Sequence, residues 1–166
     1  MALAANRREA SATTAIMVMG LFVLLQTGHV FEHVAQLVQK FILLRPTAQG
    51  ILGATFDLEW VHFLFNVVPM TGLVVVYLLL RRAGARVPAV LWVAMAFQGL
   101  HTIEHVAKMY QYYAFGITVG PKGLLGYFFP LIWLHFFLNI PPLVGMYATW
   151  RALRTMYGRA VVLATS

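Results

Sequence analysis

The chain alternates between long apolar runs and short polar breaks. Four runs reach the roughly 20 mostly apolar residues that a bilayer-crossing helix needs. They cover roughly residues 13–38, 57–80, 87–112 and 127–151. The breaks carry residues that end helices: Arg45-Pro46, Gly84, Gly116 and Gly120-Pro121. Gln39–Leu44 and Tyr110–Phe115 extend the first and third runs as amphipathic ends. Inside the runs the polar residues recur at i, i+3 and i+4, so each predicted helix carries one polar stripe on an apolar body. The expected fold is an all-α integral membrane protein with four transmembrane helices, a single membrane domain over residues 1–166.

The stripes repeat. Residues 26–37 (QTGHVFEHVAQL) align without a gap to residues 98–109 (QGLHTIEHVAKM), with six of twelve positions identical and an offset of 72. Residues 59–69 align to 132–142 with an offset of 73, matching Trp60 to Trp133, His62 to His135, Asn66 to Asn139 and Pro69 to Pro142. Gly50-Ile51-Leu52-Gly53 and Gly123-Leu124-Leu125-Gly126 match at 73 as well, as do Gly72 and Gly145. The pattern predicts a tandem two-helix repeat, repeat one 13–80 and repeat two 87–151. An even number of spans per copy gives both copies the same orientation, related by a pseudo-twofold axis along the membrane normal.

Composition sharpens this picture. Apolar residues make up 61% of the chain and charged residues 10%, against about 25% charged in ordinary globular domains. The chain has no cysteine, which excludes disulfides, thiolate metal sites and haem attachment through C-x-x-C-H. The net charge of +7 does not point to nucleic acid, because the basic residues sit at helix ends. Arg7, Arg8, Arg81, Arg82, Arg86, Arg151, Arg154 and Arg159 fall on one side; Lys40, Arg45, Lys108 and Lys122 fall on the other. Eight against four predicts a multi-pass cell-membrane protein with both termini cytoplasmic. No small-residue cleavage site follows Arg7 and Arg8 before the first histidine, so a cleaved leader is not expected.

All six histidines occupy matched positions, three per copy: His29, His33 and His62, then His101, His105 and His135. Ionisable groups inside a membrane are costly and mark function. His29 and His33 share a helix face with Glu32 beside them, in the pattern H-x-x-E-H, and His101, Glu104 and His105 copy it. Two histidines at i and i+4, joined by one from a facing helix, can converge on a metal. Neutral imidazole suits Cu, Zn or Fe. Glu32 and Glu104 are the candidate catalytic residues, as metal ligands, bridging groups, general bases or acceptors for an imidazole N–H. The duplication allows two separate three-His sites or one shared dinuclear centre, placed in the outer half of the bilayer. The bundle logic resembles that of di-iron carboxylate proteins, although those use Glu-x-x-His. H-x-x-E-H is also the pattern of the soluble inverzincin proteases. That match stops at five residues and shows only that the spacing can hold zinc beside a carboxylate base.

Other readings use the same residues. A hydrogen-bonded network of His, Glu, Gln and Asn needs no metal. Haem b between His33 and His105, or His62 and His135, or a chlorin pigment on single histidines, would make the chain a cofactor-carrying or structural subunit of a larger membrane complex. Pro69 and Pro142 each free a carbonyl four residues earlier, and Asn66 and Asn139 are the expected partners. The copies differ where Asp57 and Glu59 become Pro130 and Ile132. Glu59 lies three residues before His62, on its face, so a substrate or a second metal would approach asymmetrically from that side; alternatively both acids are solvated at the interface. The expected function is a membrane metalloprotein with redox or hydrolytic chemistry on a small or lipophilic substrate. Its partners would be the lipid bilayer and either copies of itself or other membrane subunits.

Overall fold

The computed structural model describes residues 2–118 and 120–164, with side chains for 10–118 and 120–157. It is all-helical. The α-helices are α1 Ala2–Leu37, α2 Leu58–Arg82, α3 Ala89–Ala114 and α4 Leu131–Ala164, with a π-helical turn at Val38–Ile42 and a short 3-10 turn at Leu125–Tyr127. Each helix packs against the next in chain order, and α1 closes the ring on α4. Among the described residues, α1, α2 and α4 contain stretches long and apolar enough to cross a membrane. α3 has the length, 26 residues, or about 39 Å at 1.5 Å per residue. Its buried Gln98, His101, Glu104, His105, Lys108 and Gln111 lower its mean hydropathy.

The bundle is apolar outside and polar inside over half its length. Leu24, Phe31, Leu64, Trp92, Ile103 and Phe137 stand exposed on its outer surface, a pattern that water disfavours and lipid accepts. Toward the Arg-rich end the interior is apolar, built from Ala15, Met19, Leu73, Val76, Leu80, Leu91, Ala94, Met146 and Leu153. Close approach there depends on small residues: a Cβ on Gly72 would overlap the Phe22 ring, and one on Gly145 would lie 2.9 Å from the Ala94 Cβ. Toward the two long connections the interior becomes polar, and every histidine is buried.

The two long connections are tied down in the same way. Gly50 N–H donates to Gln39 Oε1 at 2.8 Å while Gln39 Nε2 donates to Gly50 O at 2.7 Å. Gln111 clamps Gly123 through the same two bonds at 2.8 Å each. Both glycines have positive φ, +78° and +69°, and a Cβ on either would overlap the carboxylate of Glu32 or Glu104. Gly116 also has positive φ, +66°, but nothing lies within 4 Å of its Cβ position. Gly116→Ala should therefore cost only the left-handed strain of about 1–2 kcal/mol. Gly50→Ala and Gly123→Ala should cost a further 1–3 kcal/mol or so for the forced repacking. Melting the three variants in detergent checks this; equal losses at all three would show that the overlap contributes nothing.

Candidate metal centre

The polar interior is layered. At its base, Gln26 of α1 donates to Asn139 Oδ1 of α4 at 2.7 Å, and Gln98 of α3 donates to Asn66 Oδ1 of α2 at 3.1 Å. These two braces join helices of opposite halves. The asparagines do not cap the carbonyls freed by the prolines. Asn66 Nδ2 donates to His62 O and Asn139 Nδ2 to His135 O, each at 2.8 Å. An asparagine amide reaches the carbonyl one turn back more readily than the one beside it.

One turn further on, the six imidazoles form a single cluster. His29, His33 and His62 offer ring nitrogens that all lie within 4.8 Å of one another, and so do His101, His105 and His135. Helix geometry supplies two members of each triad from one face, and α2 or α4 supplies the third. The triads face each other with their rings matched: His29 against His101 at 5.7 Å, His62 against His105 at 5.8 Å and His33 against His135 at 6.1 Å between ring centroids. In all three pairs the ring planes lie within 14° of parallel. Exchanging the two halves maps these three pairs onto one another.

Hydrogen bonds fix several tautomers. His62 Nδ1 donates to Leu58 O and His135 Nδ1 to Leu131 O, each at 2.8 Å, and His33 Nδ1 donates to Gln36 Oε1 at 2.7 Å. In a neutral ring with Nδ1 protonated, Nε2 carries a lone pair. Three Nε2 lone pairs are thus set toward the cluster, the arrangement in which a histidine is held ready to ligate. His33 Nε2 lies 3.2 Å from His29 Nε2. That matches the edge of about 3.3–3.4 Å expected when two nitrogens sit about 2.0–2.1 Å from a tetrahedral zinc. Seven buried ring nitrogens, on His29, His62, His101, His105 and His135, meet no hydrogen-bond partner among the described residues. A bare buried polar group costs about 1–3 kcal/mol; a neutral imidazole has one lone pair and one N–H, so a metal would relieve at most one nitrogen on each of these five rings.

Glu32 and Glu104 lie beside this cluster and face away from it. Glu32 accepts from the backbone N–H groups of Ile51, Leu52 and Gly53 at 3.0–3.2 Å. Glu104 accepts from those of Leu124 and Leu125 at 3.0–3.1 Å. Successive N–H groups in a turn form an anion-binding nest, and each glutamate fills one. Among the described residues, the three-residue groupings with metal-ligand spacing consist of histidines.

Glu59 and Asp57 part company. Asp57 is exposed and caps α2 by accepting from Trp60 N–H at 3.1 Å. Glu59 is buried, not solvated, and pairs with Lys108 Nζ at 3.0 Å. Lys108, counted above among basic helix ends, is buried as well. The Gln39 and Gln111 clamps and this ion pair were not anticipated. For the clamps, the identity of both glutamines at offset 72 was the available signal. Compared with known proteins, the chain matches no family model, no curated relative and no solved structure.

Proposed function

We propose that the chain is a membrane metalloprotein whose six histidines hold up to two transition-metal ions, one per triad, in a shared chamber. The observation that carries this reading is the set of buried ring nitrogens without partners, gathered in two facing triads. A cation accepts every lone pair that converges there. A site of nitrogen donors alone binds copper most tightly in the Irving–Williams order, ahead of zinc and iron. Copper or iron would supply redox chemistry, and zinc a polarised water for hydrolysis. Centroid spacings of 4.8–6.1 Å within the cluster leave no slot for a macrocycle, which argues against haem or a chlorin. The test is metal analysis of the purified, folded chain. Copper, zinc or iron at one to two equivalents supports the reading, and a metal-free chain that takes up none of them overturns it.

In this reading all four helices cross the bilayer as one domain. Repeat one, 13–80, and repeat two, 87–151, are related by a pseudo-twofold axis along the membrane normal. The Arg-rich end is cytoplasmic, and the histidine layer lies in the outer half. Glu32 and Glu104 hold the outer connections over the metal chamber instead of acting as bases. The absence of cysteine makes the orientation easy to test. A cysteine introduced at Ala48 should react with a membrane-impermeant maleimide in intact cells, and one at Ala83 should react only after lysis. The opposite pattern would invert the topology.

A further inference from the structure

A cavity of about 340 Å³ lies between the two long connections and the histidine cluster. Its wall includes His62, His105 and His135, so members of both triads face it. Matched residues of the two halves line it in pairs: Leu58 with Leu131, His62 with His135, Gln36 with Lys108, and Glu59 with Ile132. The first two pairs are identical and the last two are not. Where the copies have diverged around this cavity, they have produced the Glu59–Lys108 ion pair. Both members are buried, and a buried pair gives little net stability, so packing alone is a poor reason for it. Lys40 also lines the cavity, leaving two ammonium groups against one carboxylate. His62 Nε2, His135 Nε2 and both ring nitrogens of His105 meet no hydrogen-bond partner among the described residues.

Building on the metal reading above, we propose that this cavity is the entry and binding site for a small anionic ligand. The ligand coordinates the metal at a position the three histidines leave open, and Lys108 donates a hydrogen bond to it. Glu59 holds Lys108 in place and competes with the ligand for the ammonium group. Entry is asymmetric although the chamber is built from two matched halves. Lys108 is a positioning and charge-matching residue here, and the histidines remain the ligands.

Azide is a suitable probe, titrated into the full chain loaded with copper(II) in detergent and followed by its ligand-to-metal charge-transfer band. Lys108→Met should weaken azide about tenfold or more, the effect of removing a charge-assisted donor. Glu59→Gln should tighten azide several-fold by freeing the ammonium. Copper stoichiometry should not change in either. Opposite signs are the signature, since a purely structural ion pair would shift both variants the same way. If Lys108→Met does not fold, Lys108→Gln combined with Glu59→Gln keeps a neutral hydrogen-bonded pair and should also weaken azide. Copper-loaded wild-type protein that gives no azide band, or equal azide affinity in all variants, overturns this inference and leaves the metal reading intact. A chain that binds no metal overturns both.

Discussion

Replacing His33 and His105 together by alanine is expected to strip nearly all transition metal from the purified protein. Each substitution takes one imidazole from one triad, and the two remaining nitrogens cannot complete the site. Losing an outer-shell partner already weakens metal binding by about 10–100-fold, so losing a ligand should weaken it by roughly 100-fold or more. His33→Ala alone should remove about half of the metal, because the triad of His101, His105 and His135 is complete without it. Loss of both equivalents from the single variant would instead show one centre in which neither ion is held alone. Stability should follow occupancy. A ligand present at 100 times its Kd adds about 2.7 kcal/mol, so a chelator should lower the wild-type melting temperature and leave the double variant almost unmoved. A chelator-insensitive wild type would contradict the metal reading even if some metal copurified.

The helices and the histidines were legible because both obey regular spacing. Apolar runs of membrane length gave α1, α2 and α4 to within a few residues at the loop end, and the i, i+4 rule placed His29 with His33 and His101 with His105 on shared faces. The third histidine of each triad followed from the repeat. What stayed hidden depends on segments without periodicity. The partners of Glu32 and Glu104 are backbone amides in connections of irregular shape, 19–21 residues further along the chain. No spacing rule on a helix reports them. The Glu59–Lys108 pair was hidden for another reason. Each residue sits near a helix end, where charge is ordinarily solvated, and only the packing of α2 against α3 places both inside. Glu59 also lies three residues before His62, which suggested a link to the metal, whereas its partner comes from the neighbouring helix.

Exchanging both glutamates, Glu32→Gln with Glu104→Gln, is expected to destabilise the outer connections strongly while leaving the metal ligands in place. A carboxylate offers acceptors on both oxygens, and Glu32 uses them for three backbone N–H groups. Glutamine keeps one acceptor and turns the other into an NH₂ group that opposes those donors. A hydrogen bond to a charged group is worth about 1.5–3 kcal/mol, and a buried donor left bare costs a further 1–3 kcal/mol or so. Each substitution should therefore cost on the order of 2.5–6 kcal/mol, a large share of the roughly 5–15 kcal/mol of net stability a domain has. Amide hydrogen exchange locates the effect: protection at Ile51, Leu52, Gly53, Leu124 and Leu125 should fall before protection in the helices does. Metal at saturating concentration should still bind with wild-type stoichiometry, because six imidazoles remain. A carboxylate acting as a metal ligand or bridge predicts the reverse, with full loop protection and lost metal. Exchange rates and metal content measured on one preparation separate the two roles, and unchanged values of both would remove the glutamates from fold and function alike.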